Sequence, residues 1–257
     1  MPSPLLLDVY AALFGLIAGS YLNVVIHRLP RGVSTVAPRS ACPACGAAIR
    51  ARDNLPLVSF LLLRGRCRAC GAPIGWRYPL VELATALLWV ACMERFGLTL
   101  AGLAAALFSC LMIALGLIDL EHLILPDRLT LPGIAAGLAL SPWLPWGGIR
   151  QALAGTLLGA AVLLAVWAGW YLVRHEEGMG LGDVKMLALI GAFLGWQGVL
   201  VALFFASLSG ALVGLALVWR GGAGMRSKLP FGSFLALGGL VALFAGRQIA
   251  GWYGGLL

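Results

Sequence analysis

Residues 111–128 read LMIALGLIDLEHLILPDR, and the acid in the middle of that stretch decides how the chain is understood. An apolar run, Leu111–Ile118, ends on Asp119. A second string, GMGLGDVKML at 178–187, sets Asp183 just ahead of another apolar run. Ionisable groups at bilayer depth are costly, so they mark chemistry or transport. Two aspartates that meet at one membrane face suggest a dyad. One carboxylate then acts as general base on a water, and the other, protonated, as general acid. Burial of Asp119 favours its neutral form, whereas a helix N-terminus at Asp183 favours the ion. Which of them is the acid stays open at this level.

The rest of the composition supports a membrane setting. The 257 residues are 61% hydrophobic and 11% charged, against roughly 25% charged in soluble domains. Thirty-five glycines suit closely packed transmembrane helices. The run Leu5–Ala18 has no basic residue before it and contains Asp8, so a retained helix is expected rather than a cleaved signal. The sequence predicts an all-α integral membrane protein with about eight transmembrane helices. The expected spans are 5–27, 79–96, 100–119, 129–146, 151–173, 184–197, 198–218 and 231–250, with an uncertain junction at Gln197–Gly198. Three regions follow: a first helix (1–27), a polar module (28–78) and a polytopic membrane domain (79–257).

Charge placement gives the orientation. With the N-terminus outside, only Arg95, Arg150 and Arg247 lie at outer ends, leaving 15 of the 18 basic residues inside. Both aspartate loops and the polar module then face the cytoplasm.

The module carries CPACG (Cys42, Cys45) and CRACG (Cys67, Cys70), with 21 residues between the pairs. That spacing suits four thiolates around a structural zinc, in a ribbon-like module between helices one and two. Gly46 and Gly71 leave room for backbone N–H groups to turn toward the sulfurs. Two disulfides are the alternative, disfavoured in a reducing compartment. Cys92 and Cys110 lie in apolar helices and are expected to pack there. The module has nine Arg and one acid, Asp53. This suits a loop resting on anionic lipid; with no aromatic interleaving, nucleic-acid binding is not expected.

Around the two aspartates, Asp127 follows Pro126 and is expected to cap the next helix, while His122 sits at a polar boundary. Asp183 on its own could be a simple N-cap. Gly180 and Gly182 permit tight turns and close approach of another chain. Glu121, Asp127, Glu176 and Glu177 form an acidic set on the two loops, suited either to a basic substrate or to pairing with Arg128 and Arg174. The glycines match neither a dinucleotide fingerprint nor a P-loop. A proton-coupled transporter would need deeper aspartates and an internal repeat, and neither is seen. A non-catalytic assembly protein docking through its metal module is a third class.

Taken together, GSYLNVVIHRLP (19–30), the two CxxC pairs, RYPLVE (77–82), IDLEHLILPD (118–127), GMGLGDVK (178–185) and LPFGSFLALG (229–238) resemble the bacterial type IV prepilin peptidases, nearly end to end. Ser233 stands where that family commonly has proline. The second aspartate motif is similar to that of the wider GxGD aspartyl proteases, which include presenilin. The resemblance implies a bifunctional enzyme of the inner membrane with Asp119 and Asp183 as its catalytic pair. Its substrates would be prepilins or pseudopilins of a type IV pilus or type II secretion system, cut after a glycine that follows a short basic leader. The new N-terminal residue, usually Phe, would be methylated with S-adenosylmethionine. That cofactor rests on the resemblance alone, with its residues expected somewhere in the cytoplasmic module.

Overall fold

The structure is a computed structural model that describes residues 4–175, 179–220 and 229–254. Among the described residues it is all-helical, with isolated bridges and no strand. Eight α-helices follow in order: α1 (Pro4–Arg28), α2 (Val58–Leu62), α3 (Arg77–Phe96), α4 (Leu100–His122), α5 (Asp127–Leu140), α6 (Gly148–Arg174), α7 (Leu181–Trp219) and α8 (Phe231–Gly254). The chain divides into two compact units, Met1–Ala114 and Leu115–Leu257, with the boundary inside α4.

In the first unit, α1 lies along α3 at backbone contact distance. A Cβ on Gly15 would sit 2.6 Å from the Ala86 Cα, and one on Gly19 would sit 2.7 Å from the Glu82 Cα. Without a hydrophobic drive between helices in lipid, such close packing is what holds neighbours together. Buried polar groups on these faces are tied locally. The Asn23 amide donates to the carbonyls of Gly19 (3.3 Å) and Tyr78 (3.1 Å). Glu82 accepts the Leu57 N–H at 2.8 Å, which fastens the polar module to α3. Cys92 and Cys110 are buried as expected, Cys92 beside Ser109 and Cys110 accepting from the Trp89 indole at 3.2 Å.

In the second unit, the opening half of α7 is the core. Met186, Leu187, Leu189 and Ile190 are fully buried. Small residues let the neighbours in: Gly159 of α6 against the Leu187 carbonyl, and Gly137 of α5 against Phe193. The later half of α7 turns Phe204, Leu212, Leu215 and Trp219 outward. Exposed apolar faces of this extent are an aggregation liability in water and a match to solvent in lipid.

Among the described residues, five helices are long and apolar enough to cross a membrane: Leu5–Arg31, Leu100–His122, Gly148–Arg174, Leu181–Trp219 and Phe231–Ile249. The chain is thus a multi-pass membrane protein. Four of the expected spans differ from this set. The span expected at 79–96 corresponds to α3, whose 20 residues include Arg77, Glu82, Glu94 and Arg95. The one at 129–146 is the 14-residue α5, which contains Pro132 and ends in a short 3-10 turn, Ser141–Trp143. The expected pair 184–197 and 198–218 is one element broken at Gly195 (φ 70°, ψ −177°), not at Gln197–Gly198. Glycine alone adopts that backbone without strain, so the break falls where a Cβ is missing.

Candidate active site and metal centre

Asp119 lies in the last turn of α4, which Leu123 (φ 54°) terminates by donating its N–H to the Asp119 carbonyl at 2.8 Å. Its side chain is only 5% exposed. Asp183 is the third residue of α7 and is 8% exposed. The two acids lie near one another across Leu125, which packs on Gly182 beside Asp183 and on Gly232 beside the Asp119 carboxyl group. Two buried acids are therefore present, one at the end of α4 and one at the start of α7.

The partner of Asp119 is a residue that the sequence did not single out for chemistry. Ser233, in the first turn of α8, donates its backbone N–H to Asp119 Oδ2 at 2.9 Å. Its hydroxyl donates to the Gly116 carbonyl at 2.7 Å and lies 3.4 Å from the same Oδ2. Gly232 comes so close that a Cβ there would sit 2.9 Å from Oδ2. The string LPFGSFLALG was visible only as a resemblance; nothing in its composition points at an aspartate more than a hundred positions earlier.

Asp183 is not an N-cap. The cap position of α7 is Gly180, whose carbonyl accepts the Asp183 N–H at 3.1 Å. Asp127 does not cap α5 either. Pro126 holds the cap position without a side-chain bond, and Asp127 pairs with Lys185 at 2.5 Å instead of with an arginine. That ion pair joins the segment after Asp119 to the helix of Asp183. Both of its ends are partly exposed, so its stabilising effect is about 0–1 kcal/mol. Glu121 lies 3.9 Å from His122, whose Nε2 is buried without a hydrogen bond. The space above Gly182 is filled by Leu125 of the same chain, whereas Gly180 has no side chain pressing on it. Glu176 and Glu177 lie outside the described residues.

The four cysteines of the module converge, with all four sulfurs within 4.8 Å of one another. Cys42 and Cys70 are 3.9 Å apart. Tetrahedral thiolates about 2.3 Å from zinc would stand roughly 3.8 Å apart, so the cluster fits a four-thiolate metal site. The two halves are copies of one knuckle. Cys42 and Cys67 donate N–H bonds to Ala47 and Ala72, and Gly46 and Gly71, both near φ 70°, return theirs to Cys42 and Cys67. Backbone N–H bonds from Cys45 and then Ala44 bring the Cys42 thiol down to about 7. Cys70 is pushed up to about 11: its bond from Ala72 is outweighed by the Cys45 thiol beside it and by burial. Asp53 forks onto Arg68 at 2.7–3.1 Å and braces the second knuckle.

A multi-pass helical protein with a buried pair of acids and a four-thiol module falls in the class of integral-membrane peptidases. The chain belongs to the type IV leader peptidase family. That family's model matches residues 106–215, and the model of the bacterial peptidase A24 N-terminal domain matches residues 13–96. Relatives named prepilin leader peptidase/N-methyltransferase are similar over nearly the whole chain. One from Burkholderia pseudomallei is 40% identical, covering 92% of this chain and 85% of its own. One from Aeromonas hydrophila is 42% identical, covering 94% and 91%. One from Pseudomonas aeruginosa is 40% identical, covering 97% and 94%. No solved structure matches the chain with significance. The protein is accordingly a membrane peptidase with methyltransferase activity.

Proposed function

We propose that this protein removes the short basic leader of type IV prepilins or pseudopilins at the cytoplasmic face of the inner membrane, through Asp119 and Asp183, and then N-methylates the exposed amine. The observation that carries the peptidase half is the pair of buried carboxyls on α4 and α7, in a chain of this family. Two acids that meet in a buried site share one proton when substrate is bound, which supplies a base for water and an acid for the reacting peptide together. Such hydrolysis needs no metal, so the Cys42, Cys45, Cys67 and Cys70 cluster has a structural role. Four thiolates leave zinc no open position for a water.

Gly180 and the acids at the rim suit a basic, extended leader. Asp127 already holds one ammonium, that of Lys185, and a leader lysine or arginine would compete for it. Glu121, Glu176 and Glu177 extend the same acidic set. Among the described residues no strand–helix unit marks a seat for S-adenosylmethionine, and the methyl donor is carried by family resemblance alone.

Purified protein given a synthetic prepilin and S-adenosylmethionine is expected to release the leader and to add one methyl group to the new N-terminus. Mass spectrometry reads both events. An intact prepilin after prolonged incubation with folded protein contradicts the assignment. The orientation has its own test. Single cysteines near Arg50 and Gly221 should be labelled from the cytoplasm, and those near Gly97 and Gly148 from outside. The reverse pattern would place the thiol cluster in an oxidising space.

A further inference from the structure

We infer that Asp119 is the member of the pair that activates water, that Asp183 carries the shared proton, and that Ser233 is the positioning residue that sets this division. The inference rests on the proposed dyad and goes one step further, to its chemical polarity. The first turn of a helix has N–H groups with no partner in the helix, and its positive end attracts anions. In α8 one N–H of that turn, that of Ser233, is aimed at Asp119. The Ser233 N–H reaches Oδ2 at 2.9 Å while also pointing at the Pro230 carbonyl at 3.1 Å, and the Gly232 backbone lies so close that a Cβ there would sit 2.9 Å from Oδ2. The hydroxyl proton of Ser233 is committed to the Gly116 carbonyl, one turn before Asp119, which locks the serine against α4. Oδ2 is thereby an acceptor held by a backbone N–H that cannot rotate away, which favours the charged form of this carboxyl group. A carboxylate held by backbone N–H groups at a helix start is a strong, charge-assisted arrangement.

Asp183 has no such support. It too stands in a first helical turn, but among the described residues no donor reaches its carboxyl, and its own N–H turns back to Gly180. It also lies near Asp119, across the Leu125 side chain that meets the backbone beside both acids. With both groups buried and near one another, the proton they share settles on the one without donors. Other titratable groups nearby are otherwise engaged: Asp127 pairs with Lys185, and Glu121 lies beside His122.

The reaction then has a direction. Asp119 takes a proton from water as the water oxygen bonds to the scissile carbonyl carbon, and Asp183 gives its proton to the carbonyl oxygen. In the collapse, the C–N bond breaks and the leaving nitrogen takes the proton held by Asp119. Asp183 recovers a proton from the diol, and the pair is back in its starting state.

The test is the pH dependence of kcat/KM for a leader peptide, measured on the full-length protein. Ser233→Pro keeps a backbone that a first helical turn tolerates and deletes the donor. Its acidic limb, which reports the base, should move to higher pH by about one unit, while the basic limb stays in place. Ser233→Ala retains the N–H and should move the acidic limb less. If Ser233→Pro does not accumulate, the backbone ester made by incorporating the α-hydroxy analogue of serine at position 233 deletes the same N–H with the side chain intact. A shift of the basic limb would make Asp119 the acid and overturn the inference; no shift of either limb would remove Ser233 from the mechanism. Failure of the dyad itself looks different: Asp119→Asn would then keep cutting at every pH.

Discussion

Asp119→Asn and Asp183→Asn are each expected to cut leader cleavage by at least about 10³-fold, while the protein stays inserted and keeps its metal. An amide is the same size as the carboxyl group but can neither take a proton from water nor pass one on. Because the two acids act as one unit, the double variant should be no worse than either single one. The folded structure should tolerate both changes, because an amide oxygen at position 119 can still accept the Ser233 N–H. Asp127→Asn should lose far less, since its partner Lys185 lies at the partly exposed rim. Near-normal cleavage by either Asn variant in membranes, measured by gel shift of the prepilin, would sink the dyad. Equal loss at Asp127 would move the chemistry to the wrong side of Pro126.

Metal removal is expected to separate the two activities. Purified protein never exposed to chelator should hold about one zinc per chain. Cys42→Ser or Cys67→Ser should abolish binding and disorder the segment between α1 and α3. Structural zinc contributes an apparent ~10–16 kcal/mol to such modules. The knuckles offer little else: apart from Cys42, the residues around the sulfurs are largely exposed. Methylation should collapse with the module, and cleavage should outlast it, because Asp119, Asp183 and Ser233 all belong to the other compact unit. Elemental analysis gives the stoichiometry, and protease resistance of the module reports its folding. Protein that carries no metal yet shows an intact module would remove zinc from the account.

How far the sequence reached depended on whether a feature is local. The four cysteines announced their cluster because spacing within one short segment fixes it. The two aspartates were legible because a carboxyl in an apolar run is conspicuous wherever it lands. Ser233 was not, since its role comes from α8 meeting the end of α4, a contact that no periodicity encodes. Asp127 misled for a similar reason. A carboxylate just after a proline looks like a cap, but Lys185 from a distant turn offered a full charge instead of a backbone N–H. The break in α7 was read two residues late because Gln197–Gly198 interrupts the hydropathy, whereas the backbone breaks at Gly195, where φ is positive.

Leu125 gives the site a property that no charge in it shows. Its side chain is wedged between two glycines: a Cβ on Gly182 would strike it at 2.9 Å, and one on Gly232 at 3.0 Å. One glycine is the neighbour of Asp183 and the other borders Asp119, so a single leucine packs on the backbone beside both acids. A change in the bulk of that aliphatic side chain is expected to move the backbone that carries both acids. One methyl group more or less at position 125 thus reaches both aspartates at once without replacing either of them.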